Sequence, residues 1–91
     1  MKRKNYKVDA VTLRHNVGRR VRWYRDRESQ REFAKQLGIT QAYLCRLERG
    51  EVDVSLTFLQ KMLAATKVSL SDFLKDIEDE DQDNIQGGNT T

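Results

Sequence analysis

Apolar residues recur along the chain at three- and four-residue steps in five stretches separated by polar or glycine-containing breaks. The first stretch runs through Ala10, Leu13, Val17, Val21 and Tyr24, with Arg14, Arg19, Arg20 and Arg22 largely off the stripe, and predicts an amphipathic helix ending near Arg25. After the polar break at 26–28, Ser29 and Glu32 form a capping box that opens a short helix with Phe33, Ala34 and Leu37 inward. Gly38 offers the permissive backbone of a sharp turn, with Ile39 plugging it. Thr40 then caps a helix reaching about Glu48, with Leu44 and Leu47 inside and Gly50 ending it. Ser55 caps a fourth helix lined by Leu56, Leu59, Met62 and Leu63, which Lys67 ends. Ser69 with Asp72 opens a fifth, whose apolar side is Leu70, Phe73, Leu74 and Ile77.

The pattern predicts an all-α fold, a compact bundle of about five short helices. Composition agrees: the chain has no proline, five glycines and many good helix formers. Residues 9–77 form the predicted domain. Residues 1–8 read as a flexible basic arm and 78–91 as a disordered acidic and polar tail, since neither carries enough apolar surface to order itself. A net charge of +3 hides a strong asymmetry. Residues 1–50 hold fourteen Lys and Arg against five Asp and Glu, and residues 51–91 hold three against nine, so the halves carry +9 and −6. A basic half suits phosphate binding driven by counterion release; a solvated surface is the competing reading.

Chemistry narrows the function classes. One cysteine, Cys45, makes no internal disulfide, and one histidine, His15, builds no metal site without distant carboxylates. Paired carboxylates in a pocket, a nucleophile beside a base and a phosphate-binding glycine loop are all missing, so neither an enzyme nor a cofactor is expected. No run approaches the roughly 20 apolar residues of a membrane span, and residues 1–7 lack the apolar core of a signal peptide, which points to a cytoplasmic protein.

The segment Ser29–Gly50, SQREFAKQLGITQAYLCRLERG, places two short helices on either side of Gly38, crossing closely over the small Ala34. With Gln30, Ala34, Gly38 and the Glu48-Arg49-Gly50 run at their spacing, it resembles the helix-turn-helix of the XRE, lambda-repressor and Cro family. The following VSLTFLQKMLAATKVSLSDFL resembles that family's fourth and fifth helices, and the likeness covers residues 17–74. It implies a lambda-repressor-like bundle that binds double-stranded DNA.

Helical spacing puts Gln41, Ala42, Cys45 and Arg46 opposite Leu44 and Leu47, on a face able to enter a major groove. Gln41 can pair with adenine, Arg46 can fork onto guanine, and Ala42 can meet a thymine methyl. The resemblance supports Gln41, Ala42 and Arg46 as base-facing. It also makes Gln30 a phosphate contact at a helix N-terminus; Tyr43, Arg49, Arg19 and Arg22 are further phosphate candidates, and the Lys2-Arg3-Lys4 arm can wrap the duplex. For each arginine, solvated surface competes with that role. The family pattern further implies a structural ion pair between Arg25 and Glu48. Because Asp26-Arg27-Glu28 is about two residues shorter than that pattern, Arg22 is the alternative partner.

Other residues keep two readings. Cys45 is a redox switch or a space-filler, and the simple space-filler is the more ordinary role. His15 reads as surface. Trp23 is half buried beside the Tyr24 stripe, or belongs to a dimer or DNA face. The acidic run 76–83 masks the basic half, mimics DNA, or is solvated tail. One recognition helix touches few base pairs, so a homodimer on a palindromic operator is expected, with Phe73, Leu74 and Ile77 as the dimer contact. The expected role is a repressor or controller of transcription. The alternative is an antitoxin or interaction module of the same fold that binds a toxin or another protein.

Overall fold

A computed structural model describes residues 9–78. Within them the regular structure is helical: α1 (Ala10–Arg25), α2 (Gln30–Leu37), α3 (Gln41–Glu48), α4 (Leu56–Thr66) and α5 (residues 70–78). The basic arm at 1–8 and the tail beyond 78 lie outside the described residues; residue 78 itself, assigned to the tail from sequence, is helical.

The helices begin where short polar side chains satisfy their first amides. Asp9 accepts from Thr12 N at 2.7 Å, Ser29 from Glu32 N at 3.1 Å, Thr40 from Tyr43 N at 3.0 Å, Ser55 from Phe58 N at 3.0 Å and Ser69 from Asp72 N at 3.1 Å. Hydrogen bonding from the Thr12 amide first, and from the Thr12 side chain second, favours the ionised form of Asp9 and holds its carboxyl below the usual carboxylate range.

The core joins all five helices through Val17, Val21, Phe33, Ala34, Leu37, Leu44, Leu47, Phe58, Met62, Phe73 and Ile77. This corrects several expectations. Ala10 and Leu13 are exposed, because the first turns of α1 extend past the core. Leu56, at the first position of α4, is 83% exposed. Phe58 and Met62, four residues apart, form the inward ridge of α4; Leu56 lies about 200° around the helix from Phe58, while Leu59 and Leu63 flank the ridge half-buried. Phe73 and Ile77, expected at a dimer contact, are buried in the core of their own chain. They hold α5 against α1, with Phe73 6.1 Å from the Tyr24 ring and the Tyr24 hydroxyl donating to Asp76. Burial first, and that carboxylate second, push the Tyr24 phenol well above its ordinary range. Leu70 and Leu74 on α5 stay 49% and 53% exposed.

Candidate nucleic-acid interface

The α2–turn–α3 unit is built as its sequence dictates. Ala34 is buried where the two helices approach, and Gly38 adopts φ +70°, ψ +34°. The Ile39 amide reaches back to the Ala34 carbonyl at 3.0 Å and the Gly38 amide to the Lys35 carbonyl at 3.1 Å, a Schellman closure that satisfies the end of α2 while turning the chain. Lys61 Nζ lies 3.5 Å from the Gly38 carbonyl and ties α4 to the same turn.

Leu44 and Leu47 are buried, which fixes the rotation of α3 about its axis. Gln41, Ala42 and Arg46 are then exposed together on its outer side, with Cys45 partly exposed between them. The arrangement offers an amide, a methyl and a guanidinium along one ridge, the donor and apolar set that reads base edges in a major groove.

α1 holds α3 from behind. A Cβ at Gly18 would lie 2.5 Å from the Leu47 carbonyl oxygen and 2.6 Å from that of Glu48, so only a glycine lets the two helices meet this closely. Two turns on, Arg25 Nε donates to Glu48 Oε2 at 2.7 Å and Nη2 to Oε1 at 3.0 Å, a two-pronged pair, while Nη1 bonds the Glu28 carbonyl at 2.7 Å. The side chains are 14% and 4% exposed, and hydrogen bonding to Glu48 raises the Arg25 pKa further, keeping it charged. Arg25 is thus the partner and the alternative, Arg22, is not: the short 26–28 connection is accommodated at Asp26, which takes φ +55°. With Glu48 neutralised, its carboxylate does not oppose a phosphate.

The phosphate candidates separate. Arg19 and Arg22 are exposed on α1. Gln30 is half-buried and its Nε2 donates to Glu48 Oε1 at 2.9 Å, so it is held by the ion pair; a phosphate would meet the second hydrogen of that amide and the free amides at the start of α2. The Tyr43 hydroxyl donates to the Asp53 carbonyl at 3.1 Å, and its ring packs edge-on against Phe58. Its single proton is committed within the chain, and Tyr43 has none left for a phosphate in this arrangement. Arg49 is exposed and paired with Glu51 at 3.2 Å. Trp23 is 63% exposed with the Arg20 guanidinium 4.9 Å from its ring centre, rather than half-buried.

Sequence reasoning missed Gly18, whose signal was an isolated glycine inside a helical pattern. It also missed Glu51, and Asp53, whose carboxylate pairs with Arg14 at 3.0 Å.

Comparison with known proteins agrees with this geometry. A helix-turn-helix family profile matches residues 21–73. The control protein C.MunI of Mycoplasma sp is 38% identical over 52 residues, 57% of this chain and 70% of that protein. The HTH-type transcriptional regulator SlrR of Bacillus subtilis is 36% identical over 75 residues, 79% of this chain but only 49% of SlrR, so the match spans about half of that relative. The crystal structure of ClgR, the clp gene regulator from C. glutamicum, superposes with a TM-score of 0.67 at 30% identity, over 75% of this chain and 90% of that one. The resemblance carried by Gln30, Ala34, Gly38 and Glu48-Arg49-Gly50 is therefore a true kinship: the chain belongs to the XRE-type helix-turn-helix family of DNA-binding transcriptional regulators.

Proposed function

We propose that the chain represses or controls transcription by binding a palindromic operator as a homodimer, with α3 of each copy in the major groove of one half-site. The observation that carries this reading is the outer face of α3. Gln41, Ala42 and Arg46 are exposed there while Leu44 and Leu47 fix the helix and Arg25 neutralises Glu48. Phosphate contacts fall to Arg19, Arg22, Arg49 and the N-terminal turn of α2, and Leu70 and Leu74 replace Phe73 and Ile77 as the apolar side of a dimer. Half-sites lie about 34 Å apart, one helical turn of DNA. The protein acts in the cytoplasm as a non-enzymatic regulator without a cofactor; no helix among the described residues is long and apolar enough to cross a membrane.

Selection from a random duplex library at two salt concentrations tests it, comparing the native chain with the double variant Gln41→Ala, Arg46→Ala. The expected result is a palindrome that the variant no longer enriches while it retains weak, salt-sensitive binding. If the native chain enriches nothing, an antitoxin or protein-interaction role replaces this reading.

A further inference from the structure

We propose that Glu51 sets the base selectivity of α3 by positioning Arg46 from outside the helix. This rests on the reading of α3 as the groove-entering helix and names a residue of its readout that the helix itself does not contain.

The placement of Glu51 is built into the backbone. Past Arg49 the chain closes α3 with a second Schellman turn: the Gly50 amide donates to the Leu47 carbonyl at 3.0 Å and the Glu51 amide to the Arg46 carbonyl at 2.9 Å. Gly50 has φ +74°, and a Cβ there would meet His15 Nδ1 at 2.8 Å, so both conformation and space require glycine. The turn folds Glu51 back over the last turn of the helix, where Arg49 holds both carboxylate oxygens at 3.2 Å through Nε and Nη2, and Oε1 lies 4.0 Å from Arg46 Nε, a charge contact longer than a hydrogen bond. Arg46 and Glu51 remain 59% and 47% exposed, so the pair is accessible to a ligand.

The chemistry follows from which edge is engaged. Glu51 approaches the Nε edge of Arg46, and among the described residues the two terminal nitrogens of Arg46 have no hydrogen-bond partner. Those two nitrogens are the fork that spans guanine O6 and N7. The carboxylate, anchored on Arg49, thereby attracts the Nε edge of a long, rotamer-rich side chain and biases its reach before DNA arrives. The same carboxylate lowers the positive charge that Arg46 and Arg49 offer to any phosphate, which weakens attachment to random sequence. Glu51 therefore favours the correct site by orienting the base contact, while its charge weakens phosphate attachment on selected and random DNA alike.

The test measures binding of the 91-residue chain, over a series of salt concentrations, to the duplex that the native chain enriches and to a random-sequence duplex. Native, Glu51→Gln, Glu51→Asp, Arg46→Ala and the double variant Arg46→Ala, Glu51→Gln are compared. Glu51→Gln should tighten random-duplex binding and steepen its salt dependence by about one unit of slope. It should also lower the ratio of selected to random affinity by about fivefold or more, the lower end of one good base contact. In the Arg46→Ala background the ratio should not fall further, and Glu51→Asp should restore part of it. A uniform gain on both duplexes would show mere charge repulsion and overturn the positioning role, as would an equal fall of the ratio with and without Arg46. If the native chain enriches no duplex, the groove-reading assignment of α3 fails and this inference with it, an outcome distinct from both others.

Discussion

Glu48 is an acid at the edge of the proposed DNA-binding surface, and its role follows from its partners. It is nearly buried, doubly bonded by Arg25 and bonded again by Gln30. Removing one partner of such a pair strands the other charge, so Glu48→Ala should cost about 3 kcal/mol in urea unfolding, against less than half of that for an apolar double replacement of Arg25 and Glu48. The pair was legible from the family pattern, whereas its third member was not: Gln30 at a helix start reads as a phosphate ligand, and its bond to Glu48 depends on how α2 packs beside α3. Asp26 is a second residue-scale prediction. A non-glycine residue at φ +55°, ψ −117° stores strain of order 1–3 kcal/mol, part of which a glycine returns as greater unfolded-chain entropy. Asp26→Gly should stabilise the domain by up to about 1 kcal/mol, seen as a higher melting temperature; a fall would mean that the side chain contributes something the backbone angles do not reveal.

At the scale of elements, the caps at Ser29, Thr40, Ser55 and Ser69 were readable because each is a local event: a Ser or Thr and the amide three residues on settle it without the rest of the molecule; the Asp9 cap of α1 is equally local but was not read. Which side of a helix is buried was less readable wherever two apolar stripes competed. Leu56, Leu59 and Leu63 are as hydrophobic as Phe58 and Met62, and the choice was made by the position of α2 and α3, which no local pattern encodes. Gly18 is the extreme case, since its meaning lies in the carbonyls of another helix. Intrinsic propensity says that Gly18→Ala gains about 1 kcal/mol in a helix interior. The steric term opposes it: the clashing atoms are backbone oxygens at the end of α3, which cannot rotate away, and overpacking of this kind typically costs 1–3 kcal/mol. The variant should therefore be less stable by up to about 2 kcal/mol, and its surviving folded fraction should bind the selected duplex more weakly because α3 is pushed off α1. Retained stability with full affinity would show that the two helices slide apart freely.

For the whole molecule, the decisive feature is that α5 divides its apolar residues between the core and the surface. The sequence presents Leu70, Phe73, Leu74 and Ile77 as one stripe, but Phe73 and Ile77 go to the core of the chain, helped by the Tyr24–Asp76 bond, while Leu70 and Leu74 remain at the surface. Helical spacing places those two leucines about 40° apart on one flank, a row that a second copy related by a two-fold axis can cover with its own. A single domain of this size buries a limited core, so covering them also adds stability that depends on protein concentration. Leu70→Glu with Leu74→Glu should leave the helical content and core of the monomer intact, because neither side chain is buried, yet shift sedimentation from dimer to monomer at micromolar concentration. Binding to the selected duplex should fall far more than binding to a single half-site, because in the proposed dimer only the paired protein spans both major grooves. If the variant instead sediments as the native chain does, the two leucines are ordinary exposed side chains and the two-fold contact must be carried by another face, of which the exposed Trp23 on α1 is the next to substitute.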